Sequence, residues 1–205
     1  MTEIIKIDDL NQVDTGVENK IVETLKTGGI ILYPTDTLYG LGARISNKDA
    51  VNKVRKIKER DSQKPISILV SNKDMLGRYV ETNEVANQLI GNYLPGALTL
   101  ILTSKDKDLS NLLGSDEKLG VRIPDVPFIL KIVEKLDCPI TTTSANISGK
   151  ENLNNVTGIL EQLRENKDLI DLVIDAGEVT GQNSTIVDVA DEKPNVIRQG
   201  ILKIN

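Results

Sequence analysis

The chain has 205 residues, which is enough for one domain with a sizeable core and no stabilising disulfides. Its 30 acidic and 25 basic side chains give a net charge of −5, which argues against a general nucleic-acid binder but allows a local basic cleft. The absence of histidine and the single Cys138 exclude Ser-His-Asp and Cys-His catalysis, an internal disulfide and almost every zinc site. Any proton transfer must therefore use carboxylates, lysine, tyrosine, substrate or water.

The N-terminal residues lack the basic start and long apolar run of a secretory signal, and no run approaches membrane-spanning length. With four tyrosines, one phenylalanine and no tryptophan, the chain offers few platforms for stacking single-stranded bases. No linker, repeat or low-complexity segment divides it. We therefore expect a cytoplasmic protein with no membrane partner, folded as a single domain over residues 1–205.

Predicted strands and helices alternate along the chain. The first half predicts a strand at 4–7, a helix capped by Asp14 or Thr15, a buried strand at 30–33, a hydroxyl-rich turn at 34–42, a helix capped by Asn47, a strand at 66–70, a helix at about 83–93 and a strand at 98–102. The second half predicts a mobile polar loop at 105–118, strands at 120–124 and 139–143, helices at 128–136 and 156–163, and strands at 172–174, 185–189 and 196–198. This order indicates an α/β fold, and crossovers too short for parallel pairing indicate a mixed sheet.

Hydroxyl-bearing residues occur at the ends of several predicted strands, at Thr35–Thr37, Thr141–Asn146 and Ser184–Thr185. Open α/β sheets bind their ligands at the carboxyl ends of strands, so these turns are candidate binding segments. Threonine and serine are also ordinary turn-forming residues, and each segment alone is weak support for a site.

The most basic stretch, at 53–64, reads KVRKIKERDSQK, and single arginines occur at Arg122 and Arg198. Fixed cations near a hydroxyl-rich turn suit a phosphate-bearing ligand. A charge run can equally be a solvated helix face, and an arginine within a strand can pair with a structural carboxylate. Neither a Walker loop nor a Rossmann glycine motif is present, so the residues suggest polyanion binding without identifying the ligand.

Five blocks of sequence together resemble the YrdC/Sua5 family of threonylcarbamoyl-adenylate synthases. They are YPTDTLYGLGA at 33–43, KERDSQKPISILV at 58–70, LPGALTLIL at 94–102 with GVRIP at 120–124, TTTSANISGK at 141–150, and NSTIVDV at 183–189 with VIRQG at 196–200. The resemblance implies a twisted mixed α/β sheet with flanking helices around a basic concave cavity. It also implies the short form of the family, without the additional C-terminal domain of the longer Sua5 proteins.

The activity that the resemblance implies is that of a nucleotidyltransferase. It would condense L-threonine, bicarbonate and ATP, with Mg²⁺ accompanying ATP, into threonylcarbamoyl-AMP and pyrophosphate. The product would serve the N6-threonylcarbamoyladenosine modification of tRNA, which makes the tRNA threonylcarbamoyl transferase complex a candidate transient partner. Transfer at phosphorus depends mainly on positioning and charge neutralisation, which suits a protein without histidine.

The resemblance also suggests roles for individual residues, with no metal ligand among them. The expected catalytic residues are Lys58 and Arg60; the threonine-binding residues are Thr37, Arg122, Thr142 and Ser184; the ATP-binding residues are Arg60, Lys64, Ser144, Asn146, Asn152 and Arg198. A guanidinium such as that of Arg122 can hold a carboxylate in a two-point fork.

Four positions depart from the family pattern. Asp61 and Ala97 replace prolines, Leu69 aligns with a histidine that lines the threonine pocket in some members, and Asn152 replaces a serine. These changes leave room for a paralogue, such as a non-catalytic protein of the YciO branch that binds structured RNA. A relative that forms a carbamoyl-adenylate on a different acceptor is a third alternative.

Overall fold

The computed structural model describes residues 2–113, 116–191 and 193–204. Its strands are β1 (Glu3–Lys6), β2 (Ile31–Tyr33), β3 (Gly40–Gly42), β4 (Ile68–Leu69), β5 (Leu98–Thr103), β6 (Lys118–Arg122), β7 (Ile140–Thr141), β8 (Thr143–Ser144), β9 (Leu172–Asp175), β10 (Thr185–Asp188) and β11 (Asn195–Arg198). Its helices are α1 (Thr15–Lys26), α2 (Lys48–Ile57), α3 (Lys73–Tyr79), α4 (Glu84–Tyr93), α5 (Pro127–Leu136) and α6 (Val156–Leu163), with 3-10 turns at Lys107–Leu109 and Arg164–Leu169.

The strands that the structure describes form two mixed sheets. One has the order β1-β9-β2-β3-β8, and the other has the order β11-β10-β5-β6-β4-β7. Both sheets contain parallel pairs, such as β1 with β9 and β10 with β5, and antiparallel pairs, such as β2 with β3 and β5 with β6. The α/β class and the mixed pairing are confirmed, although the strands divide between two sheets where the sequence suggested one.

The division occurs at Thr142. The predicted strand at 139–143 is two short strands, of which β7 pairs with β4 in the second sheet and β8 pairs with β3 in the first. Between them, the amide of Thr142 donates to the carbonyl oxygen of Ser67 at 2.7 Å. The segment therefore passes from one sheet to the other and brings its hydroxyl side chains to the seam between them.

The segment at 34–42, predicted as a turn, ends in strand β3. Its glycines pack against the buried ring of Tyr33, and a Cβ on Gly40 would lie 2.9 Å from the ring carbon Cζ. Glycine is normally unfavourable in strands, so the sequence does not predict a strand here. The glycines are needed because a larger side chain would clash with the Tyr33 ring.

Helix α3 was not predicted, because its seven residues contain Gly77 and are too few to show a clear period. Asn72 caps it by accepting a hydrogen bond from the amide of Met75. The predicted caps Asp14 and Asn47 are confirmed. Within the predicted loop at 105–118, the described part contains a 3-10 turn, and positions 114 and 115 lie outside the described residues. No helix in the described ranges is long and apolar enough to cross a bilayer.

Helices α1 and α5 are joined by an acidic side chain held between two lysines. Glu18 is 3% exposed at its side chain, and its two oxygens each lie 2.6 Å from the ammonium nitrogen of Lys131 or Lys135. Burial raises the pKa of Glu18, but hydrogen bonds and charge from the two lysines outweigh it and hold the pKa below its usual value. The ionised form of Glu18 therefore stabilises the fold.

Glu18→Gln should lower the free energy of unfolding by about 2 kcal/mol at pH 7, because the negative charge that faces both lysines and one of its two acceptor oxygens are lost. This difference in the free energy of unfolding should be fully present above the usual glutamate pKa. It should vanish as the pH falls through the lower folded-state pKa, where wild-type Glu18 becomes protonated. Denaturant titrations at several pH values measure this. Glu23→Gln, which removes the exposed Glu23–Lys26 pair, is the control and should change little. A difference that grows on acidification would contradict the assignment.

Candidate functional site

A cavity of about 180 Å³ opens at the seam between the two sheets. Its lining combines the guanidinium groups of Arg60, Arg122 and Arg198 with threonine and serine hydroxyls. Among the residues that the structure describes, no aspartate or glutamate lines it. A hydroxyl-rich cavity with three cations and no lining carboxylate has the chemistry to bind an anion.

Arg122 lies at the end of β6 and is 6% exposed. Its Nη1 donates to Thr37 Oγ1 at 2.7 Å, and its Nη2 forms a short hydrogen bond with Asp36 Oδ1. Burial lowers the pKa of Arg122 and the negative charge of Asp36 opposes that shift, so the guanidinium stays ionised. Its Nε is buried with no hydrogen-bond partner in the described chain, and an anionic ligand could accept from it.

Thr35 fixes the turn that presents Thr37 to the cavity. Its Oγ1 donates to the carbonyl oxygen of Leu38 at 2.6 Å and accepts from the amides of Thr37 and Leu38 at 3.1 Å. Its oxygen also lies 3.0 Å from Thr37 Oγ1. This local hydrogen bonding explains why hydroxyl residues occupy the turn, and it leaves Thr37 held next to Arg122.

Arg198 reaches the opposite side of the cavity from strand β11. Its Nη2 donates to the carbonyl oxygen of Ser184 at 3.0 Å and to Ser184 Oγ at 3.3 Å. Ser184 Oγ lies 3.0 Å from Thr99 Oγ1, so one hydroxyl pair lies beside this guanidinium. Partial burial of the guanidinium and the nearby charge of Arg122 both lower the pKa of Arg198. An anion between these arginines would relieve their mutual repulsion.

Arg60 follows the C-terminus of α2 through a tight turn. Glu59 has φ = 49°, and the amides of Glu59 and Arg60 donate to the carbonyl oxygens of Lys56 at 3.1 Å and Arg55 at 2.9 Å. These bonds form a Schellman motif, which reverses the chain and turns Arg60 toward the cavity. Its Nη2 donates to the carbonyl oxygen of Pro65 at 2.7 Å, while its buried Nε has no partner in the described residues.

Lys58 is the second residue for which the sequence suggests a catalytic role, and that role stays a prediction. Lys58 is 2% exposed and is not among the cavity-lining residues. Its Nζ donates to the carbonyl oxygen of Ser144, in a short hydrogen bond, and to the carbonyl and side-chain oxygens of Asn146 at 2.9 Å each. Burial and the charge of Arg60 lower the pKa of Lys58 to about 7. Since protein oxygens already surround the ammonium group, Lys58 positions the Ser144–Asn146 turn.

Three expected ATP-binding residues also lie outside the cavity lining. Lys64 is exposed on the loop that follows Arg60. Asn146 is buried behind the turn, where its Oδ1 accepts from Ser144 Oγ at 2.7 Å and its Nδ2 donates to the carbonyl oxygen of Lys150 at 2.8 Å. Asn152 donates to Asn183 Oδ1 at 3.3 Å. A motif gives the order of residues but not the face on which each side chain lies, so contacting and supporting residues could not be separated.

The remaining expected site residues line one cavity. They are Thr37, Arg60, Arg122, Thr142, Ser144, Ser184 and Arg198. Four polar lining residues lie outside the hydroxyl-bearing turns that the sequence analysis singled out and received no predicted role: Tyr39, Ser67, Thr99 and Asn183. Ser67 and Thr99 are hydroxyl residues inside otherwise apolar predicted strands. This local departure from the apolar pattern could have indicated them as site residues. Leu69 is fully buried and outside the lining, so the expected departure at that position does not alter the cavity wall directly.

Comparison with known proteins assigns the chain to a family. A family model for Sua5, YciO and YrdC proteins, described as "Telomere recombination", matches residues 23–200, which include every residue of the cavity lining. The chain belongs to the Sua5/YciO/YrdC family. It is 40% identical to a Methanocaldococcus jannaschii protein provisionally named a threonylcarbamoyl-AMP synthase, over 98% of this chain and 94% of the relative.

Two solved structures from the Sua5/YciO/YrdC family have the same fold. Escherichia coli YciO aligns with a TM-score of 0.88 at 28% identity, over 98% of this chain and 97% of that one. Pyrococcus abyssi Sua5, solved with L-threonine, aligns with a TM-score of 0.86 at 28% identity, over 97% of this chain and 58% of that one. The fold is therefore shared both with a protein that matches this chain nearly end to end and with a longer one.

Lys58→Met should lower the free energy of unfolding by about 3 kcal/mol, because the hydrogen bonds from the buried ammonium group to three oxygens are lost. It should also disturb the cavity wall at Ser144. Thermal and denaturant unfolding measure the loss, and Lys56→Met, an exposed lysine on the same helix, provides the control with a change within about 0.5 kcal/mol. Full stability in the Lys58 variant would show that its ammonium group does not hold the turn.

Glu59→Gly should raise the free energy of unfolding by about 1 kcal/mol. The left-handed conformation at Glu59 strains any residue with a Cβ, and glycine is the usual residue at this place in a Schellman motif. The only hydrogen bond recorded for the Glu59 side chain in the described residues is an exposed one from Asn166 at 3.3 Å. Lys56→Gly, inside the same helix, should instead destabilise by about 1 kcal/mol. Thermal melting of both variants measures this. If Glu59→Gly and Lys56→Gly shift the melting temperature in the same direction, relief of backbone strain at Glu59 is excluded.

Proposed function

We propose that this chain is a threonylcarbamoyl-AMP synthase, a nucleotidyltransferase that joins L-threonine, bicarbonate and ATP. The observation that carries the proposal is the convergence of Arg60, Arg122 and Arg198 on one hydroxyl-lined cavity. Such a cavity can accept both a carboxylate and a chain of phosphates. A Sua5 protein of the same family solved with L-threonine, and a relative provisionally named a threonylcarbamoyl-AMP synthase, support threonine and ATP as substrates of this chain.

In this proposal, the threonine substrate lies against Arg122. The unpaired Nε of Arg122 would donate to the substrate carboxylate, while Thr37 and Asp36 hold the two terminal nitrogens in place. Thr142 and Ser184 add short hydroxyl side chains to the same wall, which suits a small polar amino acid. The roles that the sequence suggested for these residues are compatible with their positions.

The triphosphate of ATP would lie between Arg60 and Arg198, beside the turn that Lys58 and Asn146 support. Charge from the two guanidinium groups would neutralise the phosphates and the departing pyrophosphate. Because no carboxylate among the described residues lines the cavity, the protein offers no evident Mg²⁺ ligand there. Any Mg²⁺ would enter on the phosphates of ATP, as this ion commonly does.

The proposed reaction needs no covalent enzyme intermediate. The threonine amine and bicarbonate form a carbamate with loss of water. A carbamate oxygen then forms a bond to the α-phosphorus of ATP, and the bond from that phosphorus to the bridging oxygen of the β-phosphate breaks to release pyrophosphate. Alignment and charge stabilisation supply the catalysis. Ser144 has no histidine to activate it, and its hydroxyl donates to Asn146 Oδ1.

Delivery of the product to the tRNA-modifying machinery follows from this activity, and contact with the transferase complex is part of the proposal. A non-catalytic role in binding structured RNA is not favoured. The cations lie in a cavity of about 180 Å³, and the chain as a whole carries a charge of −5. Salt-sensitive RNA binding without ATP turnover would nevertheless favour that alternative over the synthase.

The test of the proposal is formation of pyrophosphate and a threonylcarbamoyl adenylate by the purified chain, measured with each substrate omitted in turn. Product should require threonine, bicarbonate and ATP together. Turnover of ATP without threonine, or with another amino acid in its place, would contradict the assigned substrate. Complementation of a strain lacking the synthase would then test the pathway.

Arg60→Ala should reduce pyrophosphate release about 10²-fold, because a guanidinium that stabilises the transition-state charge is removed. Arg78→Ala is the matched control, since Arg78 is a half-exposed arginine paired with Asp137 outside the cavity. Its turnover should equal that of wild type. Near-normal turnover by the Arg60 variant would remove Arg60 from the catalytic machinery.

A further inference from the structure

Arg55 is a buried arginine outside the cavity lining, and neither the sequence motifs nor the proposed reaction gives it a role. It lies in the last turn of α2 and is 8% exposed. Its Nη1 donates to the carbonyl oxygens of Asp61 at 3.1 Å and Lys64 at 2.7 Å, and its Nη2 donates to the carbonyl oxygen of Asn111 at 2.6 Å. One guanidinium therefore joins three carbonyl groups that no regular element holds.

These carbonyls belong to two different loops. Asp61 and Lys64 belong to the loop at 61–65, every residue of which is exposed, so the loop has no buried side chain of its own to anchor it. Asn111 belongs to a second loop, which is anchored by fully buried Leu112. The carbonyl oxygen of Leu112 also accepts from the amide of Ile66 at 3.0 Å. Arg55 thus connects an unanchored loop to an anchored one.

The loop at 61–65 leads directly to the cavity. Pro65 lines the cavity, and its carbonyl oxygen is the acceptor for Arg60 Nη2 at 2.7 Å. The backbone carbonyl of Arg55 accepts from the amide of Arg60 at 2.9 Å. The orientation of the Arg60 side chain therefore depends on a carbonyl at the end of the loop that the Arg55 guanidinium holds.

We propose that Arg55 is a positioning residue that fixes the Arg60 guanidinium in the cavity by tying the loop at 61–65 to Asn111. The inference rests on the proposed function only in taking the cavity anion to be the phosphates of ATP. A planar guanidinium can serve several carbonyls at fixed angles, whereas a lysine ammonium is a single point charge on a flexible stem. Arginine is therefore the side chain best suited to this position.

The first test compares Arg55→Met and Arg55→Lys with Lys56→Met, the exposed neighbour on the same helix. Hydrogen exchange should show loss of protection at the amides of Lys64 and Ile66 in Arg55→Met, partial loss in Arg55→Lys and none in the control. The amide of Val121, within strand β6, should keep its protection in all three. Unchanged exchange at Lys64 and Ile66 in Arg55→Met would overturn the proposal.

The second test measures binding of inorganic pyrophosphate by calorimetry, which does not require turnover. Arg55→Met should weaken binding about tenfold in an otherwise wild-type chain, and Arg55→Lys should restore part of the affinity. In an Arg60→Ala background the same Arg55→Met change should have no further effect, because Arg55 acts through Arg60. Equal weakening in both backgrounds would overturn the positioning role and indicate general destabilisation.

Kinetics separate this inference from the proposed function. If the wild-type chain makes the threonylcarbamoyl adenylate, Arg55→Met should raise the KM for ATP about tenfold and leave the KM for threonine within twofold. Equal increases in both constants would overturn the proposal. If the wild-type chain makes no such product, the synthase assignment fails. The role of Arg55 is then decided by pyrophosphate binding in the wild-type and Arg60→Ala backgrounds.

Discussion

The cavity exists because the chain changes sheets within three residues. Strand β7 ends at Thr141 in one sheet, β8 begins at Thr143 in the other, and Thr142 is held between them by its bond to the carbonyl of Ser67. Edge strands this short expose backbone polar groups, which must be satisfied by other means. The Lys58 ammonium satisfies two of the next carbonyls, those of Ser144 and Asn146. The seam and its buried cation therefore form one structural unit.

This arrangement explains how an acidic protein maintains a cationic cavity. The chain carries a net charge of −5, yet the described lining contains three arginines and no carboxylate. Asp36 contacts Arg122 from outside that lining and offsets part of its charge. Backbone carbonyls serve the other guanidinium groups, at Pro65 for Arg60 and at Ser184 for Arg198. Neutral acceptors orient these arginines without cancelling the positive potential that an anion would meet.

Local features of the fold were predictable from the sequence, and long-range ones were not. Asp14, Asn47 and Asn83 have side chains that cap the helices following them, and this chemistry acts within three residues. Strand β3 depends on the distant packing of Gly40 against Tyr33, and the break at Thr142 depends on pairing with two separate strands. The same limit applies to the site. Motifs indicated the segments of the site. They did not indicate that the Arg60 side chain lines the cavity and the Lys58 side chain does not.

Unpaired donors give the final indication of what the cavity is built to do. The Nε atoms of Arg60 and Arg122 are both buried without a partner among the described residues, and burying such a donor costs free energy. Within the described residues, Arg122 has both terminal nitrogens in hydrogen bonds and Arg60 has one, so neither Nε has a partner from the fold itself. A bound anion with several oxygens would satisfy both donors and recover that cost. Both donors therefore lie where a bound anion could accept hydrogen bonds from them.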